Sequence, residues 1–406
     1  MRDFAGCSLT GYHGRQTLIG IARRLGLVEA ADAASRVAGV SPACLAGILP
    51  ASGEDDLASS RGLDNGTHNA GETPATRETP ASQGAGIGAV AAADAALLEA
   101  VQLALDVDFR GVGGFPRIES PYAKTVSDTE VVDEFGVRRR WTGLYMDIVH
   151  SPLQGATLAE LRAFRFPDPA TADTAQIDAW ALQAKKLREE TDYIVVGEHP
   201  VYGVLELGCW MCGFDDFLGR LLAEPEFTDC FFEKFYEFQT GMIDVYYSRL
   251  GPYIDITTSG DDFGTQNGPF LSPGLFRDKI RPWYERRIAL TRRHTRAYFS
   301  HHTCGSVLRL LPDLIGMGVD ILNPVQPDAF EMDFAVLKER FGRDLVFWGG
   351  IDEKNILTRG RPQDVDAAVK HANATLGRDG GYILAPSHNI QHDVPPENVL
   401  AMYGKC

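Results

Sequence analysis

The chain has 406 residues, which two or three average domains would fill and which a single α/β barrel with insertions also spans. Its 44% hydrophobic, 10% aromatic and 23% charged residues exclude disorder of the whole chain. With 39 Lys and Arg against 55 Asp and Glu, the net charge is −16 and the pI about 5.1, a field that repels the phosphates of nucleic acid.

In chain order, Met1 to Cys7 lacks the basic stretch and apolar run of a secretory signal. Phe4 to Leu9 is a candidate first strand, so residues 1–50 read as the opening part of a barrel whose start is incomplete. Residues 51–86 hold Ser, Gly, Thr, Asn, Pro and acidic residues with no apolar period; Glu72-Thr-Pro-Ala-Thr76 is nearly copied by Glu78-Thr-Pro-Ala-Ser82. Such a tract buries too little apolar surface to offset the entropy of ordering, which predicts a flexible insertion. The apolar stretch from Ala85 to Phe109 is interrupted by Asp94, Glu99 and Asp106, so no membrane span is expected. Seven scattered cysteines make no disulfide framework, and the expected compartment is the cytoplasm.

Residues 87–406 read as the body of a (β/α)8 TIM barrel. Short β-branched or aromatic runs alternate there with longer amphipathic ones, the pattern of parallel strands joined by helices. The strands are Val107 to Val112, Tyr193 to Gly197, Ile254 to Ser259, Ala297 to His302, Val319 to Asn323, Leu345 to Gly349 and Tyr382 to Pro386. Helices are expected over Phe232 to Leu250, Pro273 to His294, Val307 to Met317, Phe334 to Phe341 and Pro362 to Leu376. Trp141 to Leu153 reads as a hairpin in an insertion.

Chemistry in such barrels sits where strands end and βα loops begin. His302 and Cys304 are two apart at a strand end, so alternation puts both on one side and His301 on the other. Imidazole and thiolate on one edge make a zinc pair; a catalytic zinc needs about three protein ligands, and His388 at the end of the last strand is the candidate third. The competing reading is a satisfied polar histidine beside a buried thiol. Asp261, Asp262 and His388 are the candidate catalytic residues, although alternation lets only one of the two aspartates face the mouth, and either could instead cap a helix. His199, Tyr202, Gln266, Asn323, Gln326 and Asp352 are candidate substrate-binding residues. Cys209-Trp-Met-Cys212 spells C-x-x-C, but it is solitary and falls in an expected helix, so packing is the favoured role.

Gly260-Asp-Asp-Phe-Gly-Thr-Gln266, His302-Thr-Cys-Gly305, Asn323-Pro-Val-Gln326, Gly349-Gly-Ile-Asp352 and Gly380-Gly-Tyr-Ile-Leu-Ala-Pro-Ser-His-Asn-Ile390 together resemble the uroporphyrinogen decarboxylase superfamily. The resemblance runs from about Leu105 to Tyr403. It implies a (β/α)8 barrel and one of two chemistries: decarboxylation of porphyrinogen acetates, or zinc-dependent methyl transfer from methylcorrinoids or folates to thiols. The arginine-rich first strand and the aspartate ending the second strand of the decarboxylases have no counterpart in Phe4-Ala-Gly-Cys-Ser-Leu9 and Phe109-Arg-Gly111. His302-Thr-Cys304 matches the methyltransferase pattern, whose distant third ligand is usually Cys; this chain has Ser387-His388 there. Gln326 stands where related thiol methyltransferases place an acidic ligand.

The resemblance therefore implies a cytoplasmic zinc methyltransferase acting on a small-molecule substrate. A methylcorrinoid donor would be carried by a separate corrinoid protein. The rivals are a uroporphyrinogen decarboxylase with a divergent pocket and a non-catalytic accessory barrel.

Overall fold

Seven short β-branched or aromatic runs form the seven strands of one parallel sheet: β1 Phe109–Gly113, β2 Ile194–Glu198, β3 Ile256–Gly260, β4 Tyr298–His302, β5 Ile321–Val325, β6 Val346–Ile351 and β7 Tyr382–Pro386. The computed structural model describes residues 21–27, 96–142 and 146–405. Strands neighbour one another in chain order, each pair parallel. Phe109 of β1 stacks on Trp348 of β6 at 5.7 Å between ring centroids, although four strands separate β1 from β6 in the sheet. The sheet therefore wraps round an interior, and the fold is the expected TIM-barrel type with seven strands among the described residues. The strand expected at Phe4 to Leu9 and the tract 51–86 lie outside those residues.

The chain divides into two compact units, one taking in Leu105–Cys406 and the other Leu9–Ala104. The described part of the second comprises a helical turn at 21–24 and a helix over 96–104, whose Leu97 and Val101 are buried one turn apart.

Helices cover the barrel sheet as the apolar periodicity requires. Pro225–Leu250 starts seven residues earlier than expected, at a proline whose missing N–H costs nothing in a first turn. Phe227, Phe231, Phe235, Phe238, Met242 and Tyr246 make its buried stripe. The helix expected over Pro273 to His294 is two, Pro273–Lys279 and Arg281–His294. Pro282 explains the break, since it has no N–H to continue the first helix and its ring clashes with the preceding turn. Val112, Ile177, Val195, Ile243, Tyr247 and Leu250 form one core between β1, β2, the helix Pro225–Leu250 and the helix Thr174–Glu190.

The expected hairpin belongs to a four-stranded antiparallel sheet, Lys124–Ser127, Glu130–Val132, Arg138–Trp141 and Met146–His150. Three consecutive arginines hid its third strand from a propensity reading. Period-two alternation puts Arg138 and Arg140 on one face, and both pair with Glu130 on the neighbouring strand, at 2.5 and 2.7 Å.

No helix among the described residues is long and apolar enough to cross a membrane.

Candidate active site

Because all seven strands are parallel, their carboxyl ends open on one side and carry Glu198, Asp261, Asp262, His302, Gln326, Asp352 and His388 together. At the end of β4, His301 and His302 point in opposite directions, as alternation requires. His301 is fully buried, stacked on Phe263 at 5.1 Å and edge-on to Tyr284. Burial, then the nearby Arg287 and His302, push its imidazole down to about 3, so it is a neutral packing group.

His302 points into the barrel mouth. Its register partner on β5 is Asn323, whose Oδ1 lies 2.8 Å from His302 Nδ1. An amide oxygen can only accept, so Nδ1 carries the proton and Nε2 is left with its lone pair. That Nε2 stands 3.4 Å from Cys304 Sγ. Two ligands of a tetrahedral zinc, one nitrogen and one sulfur, sit about 3.5 Å apart.

Cys304 is held by the turn it opens. Its N–H donates to Asp262 Oδ1 at 2.7 Å, Thr303 N–H donates to the Asn323 carbonyl at 2.7 Å, and Gly305 N–H donates to Gln326 Oε1 at 2.5 Å. Gly305 has φ +79°, and a Cβ there would sit 2.5 Å from the Thr265 carbonyl oxygen, so only glycine lets the turn close on the 264–265 strand. Burial, followed by Asp262 and Glu206, pushes the Cys304 thiol well up; without a cation beside it the sulfur stays protonated.

His388 completes the group. Its ring lies edge-on to that of His302, 5.9 Å between centroids, and burial holds its imidazole below the ordinary value and therefore neutral. The ligand atoms of His302, Cys304 and His388 all lie within 4.8 Å of one another. The neighbouring Ser387 is buried, and its hydroxyl accepts the Glu353 N–H at 3.1 Å. Two imidazoles and one thiol in a half-buried cluster form a donor set whose chemistry fits zinc.

The other sequence candidates divide between this mouth and its supports. Asp262 and Asn323 touch the cluster directly through Cys304 and His302. Asp261, a candidate catalytic carboxylate, is fully buried behind it and accepts the N–H groups of Leu205 and Glu206, both at 2.8 Å, and the Tyr284 hydroxyl at 3.1 Å. It caps the helix Val204–Cys212 from another strand end, because the helix's own N-cap, Gly203, offers no side chain. A Cβ on Gly203 would meet Asp261 Cγ at 2.4 Å. Burial raises the Asp261 carboxyl to about 7 against these hydrogen bonds.

His199 is set against the helix Arg281–His294, with Nδ1 3.0 Å from Arg287 Nη2 and Nε2 3.4 Å from the Thr291 hydroxyl. Tyr202 stacks on Phe115 and its phenol is raised by burial beside Glu134. Neither is brought to the His302, Cys304 and His388 group. Gln266 bonds Asp328 and Lys354, Asp352 caps the turn that follows it through Asn355, and the Gln326 oxygen is occupied by Gly305. Cys209 and Cys212 are both buried free thiols, raised mainly by burial, the latter to about 12; they pack.

Two carboxyls went unassigned in the sequence. Glu198, the last residue of β2, is desolvated and raised, accepts the Thr258 hydroxyl at 3.0 Å, and feels His302. Its place just before His199 was the available signal. Glu206 is raised well above the ordinary value by burial, then by Asp261 and Asp262. Nothing in its sequence neighbourhood distinguishes it from an exposed first-turn glutamate.

A family model described as uroporphyrinogen decarboxylase (URO-D) matches residues 147–405, more than half of the chain. Among solved structures, a methyltransferase from Methanosarcina mazei is similar over 67% of this chain and 75% of its own, at 17% identity and a TM-score of 0.48. A GH113 beta-1,4-mannanase is similar over 75% of this chain and 90% of its own, at 11% identity and a TM-score of 0.36. No curated protein matches the sequence.

Proposed function

This chain belongs to the uroporphyrinogen decarboxylase family, and from that premise we propose that it is a zinc-dependent methyltransferase acting on a small thiol or related acceptor. The observation that carries the reading is the meeting of Cys304 Sγ with one ring nitrogen each of His302 and His388, all within 4.8 Å of one another at the mouth of the barrel. His302, Cys304 and His388 would hold the ion, which supplies Lewis-acid stabilisation of an acceptor thiolate at neutral pH.

The chain's own residues orient and protect that chemistry. Asn323 holds the His302 proton on Nδ1. Asp262 fixes the Cys304 backbone, and Gln326 fixes the turn behind it. In the transfer, the acceptor sulfur forms a bond to the methyl carbon while the bond from that carbon to the donor breaks, its electron pair staying on the donor. The proposed donor is a methylcorrinoid on a separate corrinoid protein, or a methylfolate.

Decarboxylation of a polycarboxylate is the second reading that family membership keeps open, and the charges at the mouth disfavour it. Asp262 and the burial-raised carboxyls of Glu198 and Glu206 gather there with Lys354 as the nearby cation, while Arg110 on β1 is buried, with its guanidinium bonded to the carbonyls of Val107 and Phe109. A substrate rich in carboxylates would find few cations there to pair with its charge.

The test measures metal content and product together. Purified protein is expected to carry about one zinc per chain and to convert a thiol to its methyl thioether with methylcobalamin or methyltetrahydrofolate. Protein that binds no zinc and turns uroporphyrinogen into coproporphyrinogen would establish the second reading instead. A narrower prediction concerns the Asn323 side chain, whose amide oxygen meets the His302 nitrogen turned away from Cys304. Asn323→Ala is expected to weaken zinc binding by about 10- to 100-fold, read by chelator competition. Unchanged affinity would remove Asn323 from the design of the site.

A further inference from the structure

Next to the metal-ligating group lies a cavity of about 100 Å³. Leu205, Leu218, Phe214 and Phe270 make its carbon wall, and Glu206 and Asp262 stand on its polar side. None of its lining residues is basic. It adjoins the proposed centre directly, because the Asp262 carboxylate that lines it also accepts the Cys304 N–H at 2.7 Å. Phe214 and Phe270 lie 6.4 Å apart with their rings tilted by 44°, and both are partly exposed, so they form an aromatic entrance.

This lining selects one kind of ligand. An anion meets the Asp262 carboxylate and finds no basic residue in the lining to pair with. A neutral polar group finds too few donors and acceptors on a wall that is mostly carbon. A primary ammonium needs acceptors for all three of its N–H bonds, and Glu206 and Asp262 are the only carboxyls in a lining that is otherwise mostly carbon. A cation whose charge is spread over methyl groups suits both parts of the lining: it offsets the Asp262 carboxylate and favours the ionised form of Glu206, and its methyls meet the leucines and the two aromatic rings. A cavity of this size admits a head group of a few heavy atoms.

We infer that this pocket binds an N-methylated ammonium group of the substrate, whose other end reaches Cys304. The inference rests on the methyltransferase reading for what happens at Cys304; the pocket itself is tested by binding alone.

The probe is choline, with its neutral isostere 3,3-dimethylbutan-1-ol as control. Both are titrated calorimetrically into the full-length protein, and zinc is measured in the same samples. Choline is expected to bind saturably and the isostere at least about tenfold more weakly. Glu206→Gln is expected to weaken choline by about tenfold or more while zinc content stays the same. Phe270→Leu, at a partly exposed position where folding is not at stake, is expected to weaken choline several-fold. Absence of saturable choline binding, equal binding of the isostere, or undiminished binding by Glu206→Gln overturns the inference. Zinc without choline binding sinks this pocket alone, whereas choline binding without zinc keeps the pocket and removes the reaction assigned to Cys304.

Discussion

Replacing Cys304 with alanine is expected to leave a folded protein that no longer retains stoichiometric zinc after dialysis. Of the three proposed ligands, only Cys304 becomes an anion on binding the metal; His302 and His388 contribute neutral imidazoles. In the free site the thiol is held protonated by burial and by Asp262 and Glu206, so a divalent cation and the sulfur proton compete for one lone pair. Loss of the sulfur removes one ligand and all the ligand charge, which should exceed the roughly 10- to 100-fold effect of losing a supporting hydrogen bond. Cobalt substitution reads the ligand itself: the parent should show a thiolate-to-cobalt charge-transfer band, and Cys304→Ala should lack it. His388→Ala should keep the band with weaker affinity, because it spares the sulfur. A Cys304→Ala protein that still purifies with one zinc per chain would place the ion elsewhere and end the proposed mechanism.

The part of the site on which that prediction rests could be read from the chain because it depends on local geometry. Strand alternation separates His301 from His302, and a spacing of two returns Cys304 to the His302 side. The seven strands were similarly plain, since β-branched runs between helices carry their own period. What could not be read is everything set by contact at long range. Whether Asp261 or Asp262 faces the mouth depends on the helix Val204–Cys212, whose own N-cap is a glycine and whose free N–H groups claim one of the two carboxylates. Arg287 looks like one more charge in a helix of five arginines, and only packing shows that it is the fully buried one. Its role emerges from the loop after β2, about 85 residues earlier in the chain.

That buried arginine carries the largest expected effect on stability. Arg287 donates to the carbonyl of Tyr202 at 3.0 Å and of Val201 at 3.3 Å, lies 3.0 Å from His199 Nδ1, and reaches the Tyr284 hydroxyl, which in turn bonds Asp261. One guanidinium thus joins the loop after β2 to the carboxylate that caps the next helix. Arg287→Met roughly preserves the length of the stem and removes the charge and the donors together. It leaves two buried carbonyls without these donors and Asp261 without a compensating cation, at a cost of about 3–5 kcal/mol. The melting temperature should fall by roughly 5 to 15 °C.

The loss should also depend on pH in a defined direction. The Asp261 carboxyl is raised from 3.8 to about 7 in the folded chain, so the native state holds that proton more tightly than the unfolded state. Its contribution to stability is therefore greatest at acid pH and declines as pH rises from about 4 through 7. Removing Arg287 raises this carboxyl further, because the positive charge that favours its ionised form is gone. The penalty of Arg287→Met should then be smaller at pH 5, where Asp261 is protonated in both proteins, than at pH 8, where the parent is ionised against a nearby cation. Thermal melts of parent and variant at the two pH values measure the difference. A variant that melts within a degree or two of the parent at both would show that the loop and the helix cap stand without this arginine.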